Sequence, residues 1–406
     1  MGEVGSRCHF SVAEFSPWSG PYACSGFPLA DSGRLRGVGQ GVGTNMDIGL
    51  VPAPVVPAAA RVGGAARGSE FAELRREVTS AAFLERRTGW YATRIAVNLG
   101  LLAGGWTAFV LLGNSWWQIA TAAFLAVMFT QVAFVGHDAG HRQILTGRRG
   151  NDAVGLLHGN VLIGLSYGWW VAKHNRHHSH PNQVGRDPDI AVGAFVFTAA
   201  DARRRHGWAR WLTLHQAYLF FPILLLEGLN LHVASARELA GRRGRPAAAE
   251  AALLLVHLAA YLTVVCLVLS PVKAVTFVLV HQALFGLYMG CAFAPNHKGR
   301  PIVTDDGLDF LRRQALTARN VRGGRVNDLV FGGLNYQIEH HLFPSMPRPN
   351  LGRAQPLVRA FCQAHGVDYR EDSALGSYHQ ALRHLHNVGA PLRHPTPEKR
   401  LISTSL

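Results

Sequence analysis

Two long stretches of the chain are apolar and almost free of charged side chains. From Ile95 to His137 there is no Asp, Glu, Lys or Arg, and between Glu250 and Lys298 the only such residue is Lys273. One membrane span requires about 20 mostly apolar residues, so each stretch is long enough for two spans. The pattern therefore predicts an all-α polytopic membrane protein with four spans in two hairpins. We expect the spans at 95–113, 118–136, 250–270 and 274–294.

The segments that flank these stretches have different patterns. In the segment 69–94, apolar residues recur at roughly helical spacing among Arg and Glu, which predicts an amphipathic helix on the membrane surface. Residues 1–68 are rich in Gly, Pro, Ala and Arg without periodicity, and we expect a disordered tail there. The membrane domain is expected to cover 95–390, and 391–406 is expected to form a C-terminal tail.

Basic residues outnumber acidic residues, and their distribution indicates the orientation in the membrane. The chain has 40 Lys and Arg against 25 Asp and Glu, a formal net charge of +15. The hairpin turns hold almost none of the basic residues, so both termini and the central loop are predicted to be cytoplasmic. Such a surface should attract anionic lipids and an acidic partner protein. Nucleic-acid binding is not expected, because the basic residues form no single patch interleaved with aromatic residues.

Eight histidines lie at the ends of the apolar stretches, seven of them in clusters with the spacing of metal ligands. Side chains three or four residues apart share one face of a helix, and each of the three clusters has that spacing. Neutral imidazole binds iron, zinc, copper and nickel alike, and eight imidazoles exceed what one tetrahedral zinc requires. The pattern therefore predicts two metal ions. The predicted ligands are His137, His141, His174, His177, His178, His297, His340 and His341.

Other polar residues near the clusters are candidates for supporting roles. Gln337 precedes His340 and His341 by three and four residues, and its amide could bind a metal directly, through water, or not at all. Acceptors that hydrogen-bond the outer nitrogen of a ligating imidazole fix its tautomer. The candidates for this role and for similar support are Asp138, Asn175, Asp187, Asn296, Asn335 and Glu339.

Three further histidines are expected to lie outside the metal site. His180 is off the helix face that carries the second cluster and is predicted to be a loop residue. His257 and His281 lie within predicted spans, where hydrogen-bonded packing is the expected role for both. A zinc protease is excluded, because the HExxH motif requires a glutamate where this chain has Asp138.

These motifs resemble those of the histidine-box membrane fatty-acid desaturases. The sequence HDAGH at 137–141 looks like the first box of that family, HNRHH at 174–178 like the second, and QIEHH at 337–341 like the third. The glutamine form of the third box occurs in front-end and linoleoyl-CoA-type members. Flanking residues that also resemble the family are Lys173, Pro181-Asn182, Leu342-Phe343-Pro344 and Asn296-His297, and the resemblance covers roughly 70–390.

The resemblance implies an O₂-dependent enzyme that inserts a cis double bond into the acyl chain of an acyl-CoA or an acyl lipid. It implies two iron ions held by the histidines in a helical cap on the cytoplasmic side of four transmembrane helices. Eukaryotic front-end members usually carry a fused cytochrome b5 domain with an HPGG haem motif, and this sequence contains no HPGG. Electrons are therefore expected from a separate ferredoxin or similar protein with an NAD(P)H-dependent reductase.

Two alternatives remain open at this point. A membrane di-iron hydroxylase or ketolase of lipids would use the same ligands, and a different position of the substrate carbon would separate the outcomes. A non-catalytic membrane metal transporter belongs to another class. It would need ligands along a path inside the membrane, whereas the clusters are predicted to lie at one face.

Overall fold

The described part of the chain, residues 67–305 and 307–393 of the computed structural model, is mainly helical. The α-helices are α1 (Arg67–Ser80), α2 (Thr88–Leu112), α3 (Gln118–Gly140), α4 (Arg148–Leu156), α5 (Tyr167–Ser179), α6 (Ala199–Arg203), α7 (Gly207–His215), α8 (Phe220–Leu224), α9 (Glu227–Gly241), α10 (Arg245–Val268), α11 (Pro271–His297), α12 (Phe310–Thr317), α13 (Arg325–Val330), α14 (Gln337–Leu342), α15 (Arg348–Ala364), α16 (Ala374–Val388) and α17 (Ala390–Arg393). A π-helix covers Leu157–Leu162, a 3₁₀-helix covers Pro188–Ile190, and β1 (Asn320–Val321) pairs in parallel with β2 (Glu371–Asp372).

The two predicted tails fall largely outside this description. Of the tail expected at 1–68, only the first residues of α1 are described. Of the tail expected at 391–406, only the end of α17 is described. Both expectations remain predictions.

Four of the described helices are long and apolar enough to cross a membrane: α2, α3, α10 and α11. They correspond to the four predicted spans, but the first begins earlier than expected, at Thr88. The charged residue that made the prediction start later, Arg94, lies inside α2 and donates a hydrogen bond to Gln131 of α3. A single charged side chain with a polar partner on the neighbouring helix therefore does not end the helix.

The first amphipathic segment differs from the prediction of one helix over 69–94. The chain makes a turn between α1 and α2, where Ala82 has a φ of 58°. A right-handed helix cannot include a residue in this left-handed conformation. Leu74 and Val78 of α1 are fully buried in a protein cluster that also contains Ile338. The apolar face of α1 therefore packs on the rest of the chain.

The turns of the two hairpins lie side by side. Lys273 donates from Nζ to the carbonyl of Asn114 at 2.6 Å, and the backbone N–H of Ser270 donates to the Asn114 side chain at 3.1 Å. Helix α3 packs most extensively against α2 and α11. The C-terminal ends of α3 and α11 therefore lie together at the other end of the four helices.

The outer faces of these four helices are apolar. Leu111 is 81% exposed and Leu267 is 80% exposed, whereas Phe129 and Val132 in the middle of α3 are buried. Isolated exposed leucines are common in proteins, but large contiguous apolar surfaces indicate contact with lipid or a partner. The arrangement is that of a membrane protein.

The remaining helices form a cap, defined here as residues 298–393 with the segments 67–87 and 141–244, around the ends of α3 and α11. The largest apolar cluster of the described cap residues draws on α1, α12, α14 and α15. Arg319, 1% exposed, connects the cap to α11 by donating to the carbonyls of Pro295 and Ser377, both at 3.1 Å. The next residue, Asn320, accepts from the backbone N–H of Ile338 at 2.8 Å, which holds the short helix α14 beside the end of α11.

Candidate metal centre

The eight predicted ligands come together from four parts of the chain. His137 lies in the last turn of α3 and His141 directly follows that helix, His297 ends α11, α5 contributes three histidines, and α14 contributes two. All eight residues are buried, and each is at most 9% exposed. The residues are His137, His141, His174, His177, His178, His297, His340 and His341. The helical spacing within each cluster places its imidazoles on one face, as the sequence predicts.

The imidazoles form two groups whose ring nitrogens each lie within 4.8 Å of one another. We name the first, which contains His137, the packed group, and the second, which contains His177, the anchored group. His178 lies between the groups: its Nε2 is 3.0 Å from Nε2 of His174, and its ring stacks on that of His341 with centroids 4.1 Å apart. The packed group is His137, His141, His174 and His340, and the anchored group is His177, His297 and His341.

The donor atoms in both groups fit metal ions. Nε2 of His137, Nε2 of His141 and both ring nitrogens of His340 are buried and have no hydrogen-bond partner among the described residues. Buried polar atoms are normally paired, so several orphaned nitrogens facing one space require a further partner. In the anchored group, Nε2 of His297 lies 3.0 Å from Nε2 of His341. A cation between the rings satisfies these nitrogens together.

Each imidazole of the anchored group has its outer nitrogen, Nδ1, fixed by an acceptor. The acceptor is the carboxylate of Asp187 for His177, at 3.0 Å, and the backbone carbonyl of Thr317 for His297, also at 3.0 Å. For His341 it is the side-chain oxygen of Gln314, at 2.8 Å. An acceptor at Nδ1 keeps the proton there and leaves the Nε2 lone pair for a metal. The prediction for Asp187 agrees with this geometry.

The packed group is held mainly by ring contacts. The ring of Trp170 stacks on that of His174, with centroids 4.5 Å apart and an angle of 23° between the planes. His137 has a carboxylate beside Nδ1, that of Asp138, at 3.2 Å. Asp138 in turn forms an ion pair with Arg348 at 2.5 Å and accepts from the hydroxyl of Tyr91 at 3.1 Å. The carboxylate is thus shared among three partners.

Burial keeps five of the imidazoles neutral. It lowers the pKa values of five cap histidines well below 6.5, and the neighbouring imidazoles lower them further. Burial alone would raise the pKa of Asp187, but the hydrogen bond with His177 lowers it overall. Neutral imidazoles are the form that binds metal ions. The five histidines are His141, His174, His178, His340 and His341.

The Gln337 amide lies within the anchored group. Its Nε2 is 2.9 Å from Nε2 of His297, and its Oε1 accepts from Nδ2 of Asn296 at 3.3 Å. Both Gln337 and Asn296 are buried. Asn296 therefore orients the amide and does not hydrogen-bond an imidazole.

Like Asn296, three other predicted supporting residues do not hydrogen-bond the imidazoles of the site. Asn175 is exposed, because it follows His174 and so lies off the buried face of α5. Asn335 is buried and donates to Asp328 at 2.8 Å. Glu339 accepts from Tyr369 and from Asn320, both at 2.7 Å, and burial raises its pKa to about 7 despite these bonds. These predictions rested only on proximity in sequence to a ligand. In the structure the three side chains point away from the imidazoles.

The histidines expected outside the site do lie outside the two groups. His180 directly follows α5, and its Nε2 is 3.2 Å from a guanidinium nitrogen of Arg186. His257 bonds the carbonyl of Val161 at 2.8 Å, and His281 bonds the hydroxyl of Tyr261 at 2.9 Å. These contacts agree with the hydrogen-bonded packing expected for His257 and His281.

Comparison with known proteins agrees with this geometry. A family model described as fatty acid desaturase matches residues 114–373, a stretch that contains all eight histidines. The chain belongs to the fatty acid desaturase family. It is accordingly an oxidoreductase of the fatty-acid desaturase class. The groups of buried histidines are a metal-binding feature of this desaturase.

Named relatives of the desaturase come from several kingdoms. It is 31% identical to the Delta(8)-fatty-acid desaturase of Euglena gracilis over 74% of each chain. It is 29% identical to the Delta(5) fatty acid desaturase fat-4 of Caenorhabditis elegans, over 79% of this chain and 75% of that protein. Identity to the Acyl-lipid (9-3)-desaturase of Physcomitrium patens is 28%, over 79% of this chain and 62% of that protein. The desaturase thus spans less than two thirds of the moss protein.

Sequence reasoning missed several residues that support the site. Gln314 and the Thr317 carbonyl are on α12, and Arg348 and Tyr91 reach Asp138 from α15 and α2. No local pattern marks these residues, because each is distant in the chain from the imidazole or carboxylate it contacts. Trp170 could have been found, since it precedes His174 by four residues and so shares its helix face.

Proposed function

We propose that this chain is an O₂-dependent fatty-acyl desaturase that inserts a cis double bond by means of a histidine-ligated di-iron centre. The observation that carries the proposal is the pair of buried imidazole groups, with His178 between them, at the end of four apolar helices. One group of four and one of three imidazoles provide ligands for two ions. Family membership supports iron as the metal and an acyl chain as the substrate.

The metal supplies chemistry that the side chains lack. Two irons, when bound, would provide with O₂ the oxidant needed to remove hydrogen from an unactivated methylene. The residues of the chain hold the ligands: Asp187, Thr317 and Gln314 fix the imidazoles of the anchored group, and burial excludes water. Overall, one saturated carbon–carbon bond, O₂, two electrons and two protons give one double bond and two waters. The two electrons must come from outside the acyl chain.

The apolar helices offer a place for the acyl chain. A cavity of about 510 Å³ lies between α2, α3, α10 and the π-helix, within the usual range of small-molecule sites, about 300–1,000 Å³. Its lining is mainly apolar, with Leu102, Trp106 and Phe129 among its residues. We propose that this cavity holds part of the acyl chain of an acyl-CoA or acyl lipid. The names of the relatives refer to acyl lipids and to fatty acids desaturated at different positions, so they support the substrate class.

The orientation and the electron source are part of the same proposal. The excess of basic residues supports a cytoplasmic position for the metal centre and both termini. A cytoplasmic basic surface favours an acidic electron carrier such as a ferredoxin, reduced by an NAD(P)H-dependent reductase.

Expression in a host that lacks the product tests the proposal. Its lipids are analysed for new double bonds, with the position located by mass spectrometry, and purified protein is analysed for iron. We expect a new cis bond and two irons per chain. A hydroxylated or oxidised lipid without a new double bond would favour the hydroxylase or ketolase. Active protein that contains zinc and no iron would refute the di-iron mechanism.

Reconstitution tests the electron source. Purified desaturase with substrate and O₂ alone should be inactive. Adding a ferredoxin, its reductase and NAD(P)H should restore product, at a rate that falls as salt shortens the screening length from about 10 Å at 0.1 M to about 3 Å at 1 M. Sustained turnover without a redox protein or reductant would contradict this proposal.

A further inference from the structure

A second cleft of about 510 Å³, polar and rich in arginine, opens between the start of α2 and the start of α15. It differs from the acyl-chain cavity in its chemistry, because its lining contains three arginines and no Asp or Glu. The lining residues are Arg86, Arg87, Thr88, Gly89, Trp90, Pro349, Asn350 and Arg353. We name it the arginine cleft.

Asn350 fixes two of the arginines beside each other. Its side-chain oxygen accepts from Nε of Arg87 at 3.1 Å and from a terminal nitrogen of Arg353 at 3.3 Å. Asn350 is fully buried, and its Nδ2 donates to the carbonyls of Phe83 at 2.8 Å and Glu85 at 3.3 Å. The amide therefore has a set direction, and it holds two guanidinium groups next to each other.

The charges of the arginine cleft are not balanced within the described part of the chain. Arg86 donates to the carbonyl of Ser345 at 3.2 Å, and neither it nor Arg87 nor Arg353 forms an ion pair with a described carboxylate. Cap arginines elsewhere do: Arg312 pairs with Glu70 at 2.5 Å. Like charges held side by side repel, and an anion bound between them removes the repulsion.

The backbone at the start of α2 adds donors to the same space. The residue before the helix, Arg87, provides no side-chain cap. Among the described residues, the N–H groups of Thr88, Gly89 and Trp90 have no acceptor. The first N–H groups of a helix carry partial positive charge and bind phosphate well. Guanidinium groups and free backbone amides together provide the donors that suit a phosphate.

The position of the arginine cleft connects it to the membrane surface and to the metal centre. It lies where the first apolar helix begins, and Trp90, 39% exposed, has the location of an interfacial aromatic residue. The next residue, Tyr91, donates to Asp138, which is beside His137. A phosphate bound here is at headgroup depth, at the same end of the helices as the histidines.

We propose that the arginine cleft binds the phosphate group of the acyl-bearing substrate and so sets how far the acyl chain extends from the membrane surface. This role rests on the proposed function, but binding itself can be measured without turnover. The phosphate can belong to a phospholipid headgroup or to coenzyme A. Either source satisfies the same donors, and the experiment distinguishes them.

The test is calorimetric titration of the full-length protein, loaded with metal and purified in detergent. The probes are dioctanoyl phosphatidic acid, coenzyme A and, as the ligand without phosphate, dioctanoylglycerol. We expect phosphatidic acid or coenzyme A to bind and dioctanoylglycerol to bind more weakly. The triple variant R86Q/R87Q/R353Q should lose at least about tenfold in affinity for the phosphate ligand, since charge-assisted hydrogen bonds are each worth about that much.

A matched control removes the same charge elsewhere. The variant R75Q/R76Q/R243Q changes three exposed arginines outside the arginine cleft and should keep wild-type affinity. Preference for phosphatidic acid assigns the site to a lipid headgroup, and preference for coenzyme A assigns it to a thioester substrate. Equal binding by the R86Q/R87Q/R353Q and wild-type proteins would overturn the proposal, as would an equal loss in the control.

A milder variant covers the case in which the triple variant does not fold. Arg353 is exposed, so R353Q should retain its metal and weaken phosphate binding by about threefold. Unchanged affinity of R353Q would overturn the proposal. Failure of the proposed function gives a different result, because wild-type protein would then bind phosphate ligands and form no double bond.

Discussion

The anchored group and the packed group of histidines lie side by side but are held in different ways. In the anchored group, every imidazole has an acceptor on its outer nitrogen, at 2.8 to 3.0 Å. In the packed group, the carboxylate beside His137 is shared with Arg348 and Tyr91, and His340 has no partner on either nitrogen among the described residues. Among the described residues the packed group is held mainly by ring contacts, and we expect a metal to complete it.

This difference indicates how each group prepares its ligands. A hydrogen bond to the outer nitrogen fixes the tautomer and the ring direction before a metal binds. Ring packing fixes the direction but leaves the tautomer open, so the metal itself must complete the arrangement. We therefore expect the anchored group to depend on its acceptors and the packed group to depend on its neighbouring rings.

The largest effect is expected where a ligand is removed from either group. H177A and H340A should abolish product and reduce the metal content, because each opens one coordination position. Membrane insertion should be unchanged, since the apolar helices do not depend on the imidazoles. Product is measured by gas chromatography and metal by mass spectrometry. H180A is the control and should be nearly normal; an equal loss in all three variants would contradict the separation of ligands from His180.

The next effect concerns an acceptor of the anchored group. D187N keeps the shape of the side chain but removes the charge behind His177, and it should lower metal affinity or activity by about 10- to 100-fold. Metal affinity is measured by competition with a chelator. N175A, which changes an exposed residue of the same helix, should have no effect. Wild-type affinity in D187N would show that the acceptor is not needed to prepare the ligand.

Gln337 tests whether an amide completes the anchored group. Q337A should lose about tenfold in activity, because one strong hydrogen bond or one weak ligand contributes about that much. H341A should retain no activity. Q337H should be tolerated, because an imidazole reaches a similar distance from the backbone. The measurement is product formed per iron. Complete inactivity of Q337A with loss of iron would show that the amide is a full ligand.

The smallest effect is expected from a ring of the packed group. W170L keeps an apolar side chain but removes the surface that stacks on His174, and aromatic contacts of this kind contribute about 0.5–1.5 kcal/mol. We expect a loss of about threefold in activity, with a similar loss in metal affinity. A larger loss in W170L than in D187N would reverse the comparison between the two groups.

The local sequence pattern was sufficient to predict much of the fold and the histidines that lie together in the site. The uncharged stretches predicted the four apolar helices, and the histidine spacing predicted which imidazoles share a face. The start of α2 was missed, because Arg94 was treated as a boundary although Gln131 of α3 pairs with it. The membrane-surface helix over 69–94 was wrong in extent, because the left-handed Ala82 is not visible in periodicity.

The sequence by itself determined the chemistry of this desaturase: imidazoles at helical spacing, next to apolar stretches long enough to span a membrane. Both properties can be read from a continuous segment of the chain, because the helical period sets which nearby side chains share a face and the bilayer thickness sets how long an apolar segment must be. Only the tertiary structure decided the two groups and their partners, such as Gln314 behind His341 and Arg348 behind Asp138. It also rejected Asn175 and Asn335 as partners of the imidazoles. These contacts join residues distant in the chain, and their formation depends on how helices pack, which no local pattern specifies.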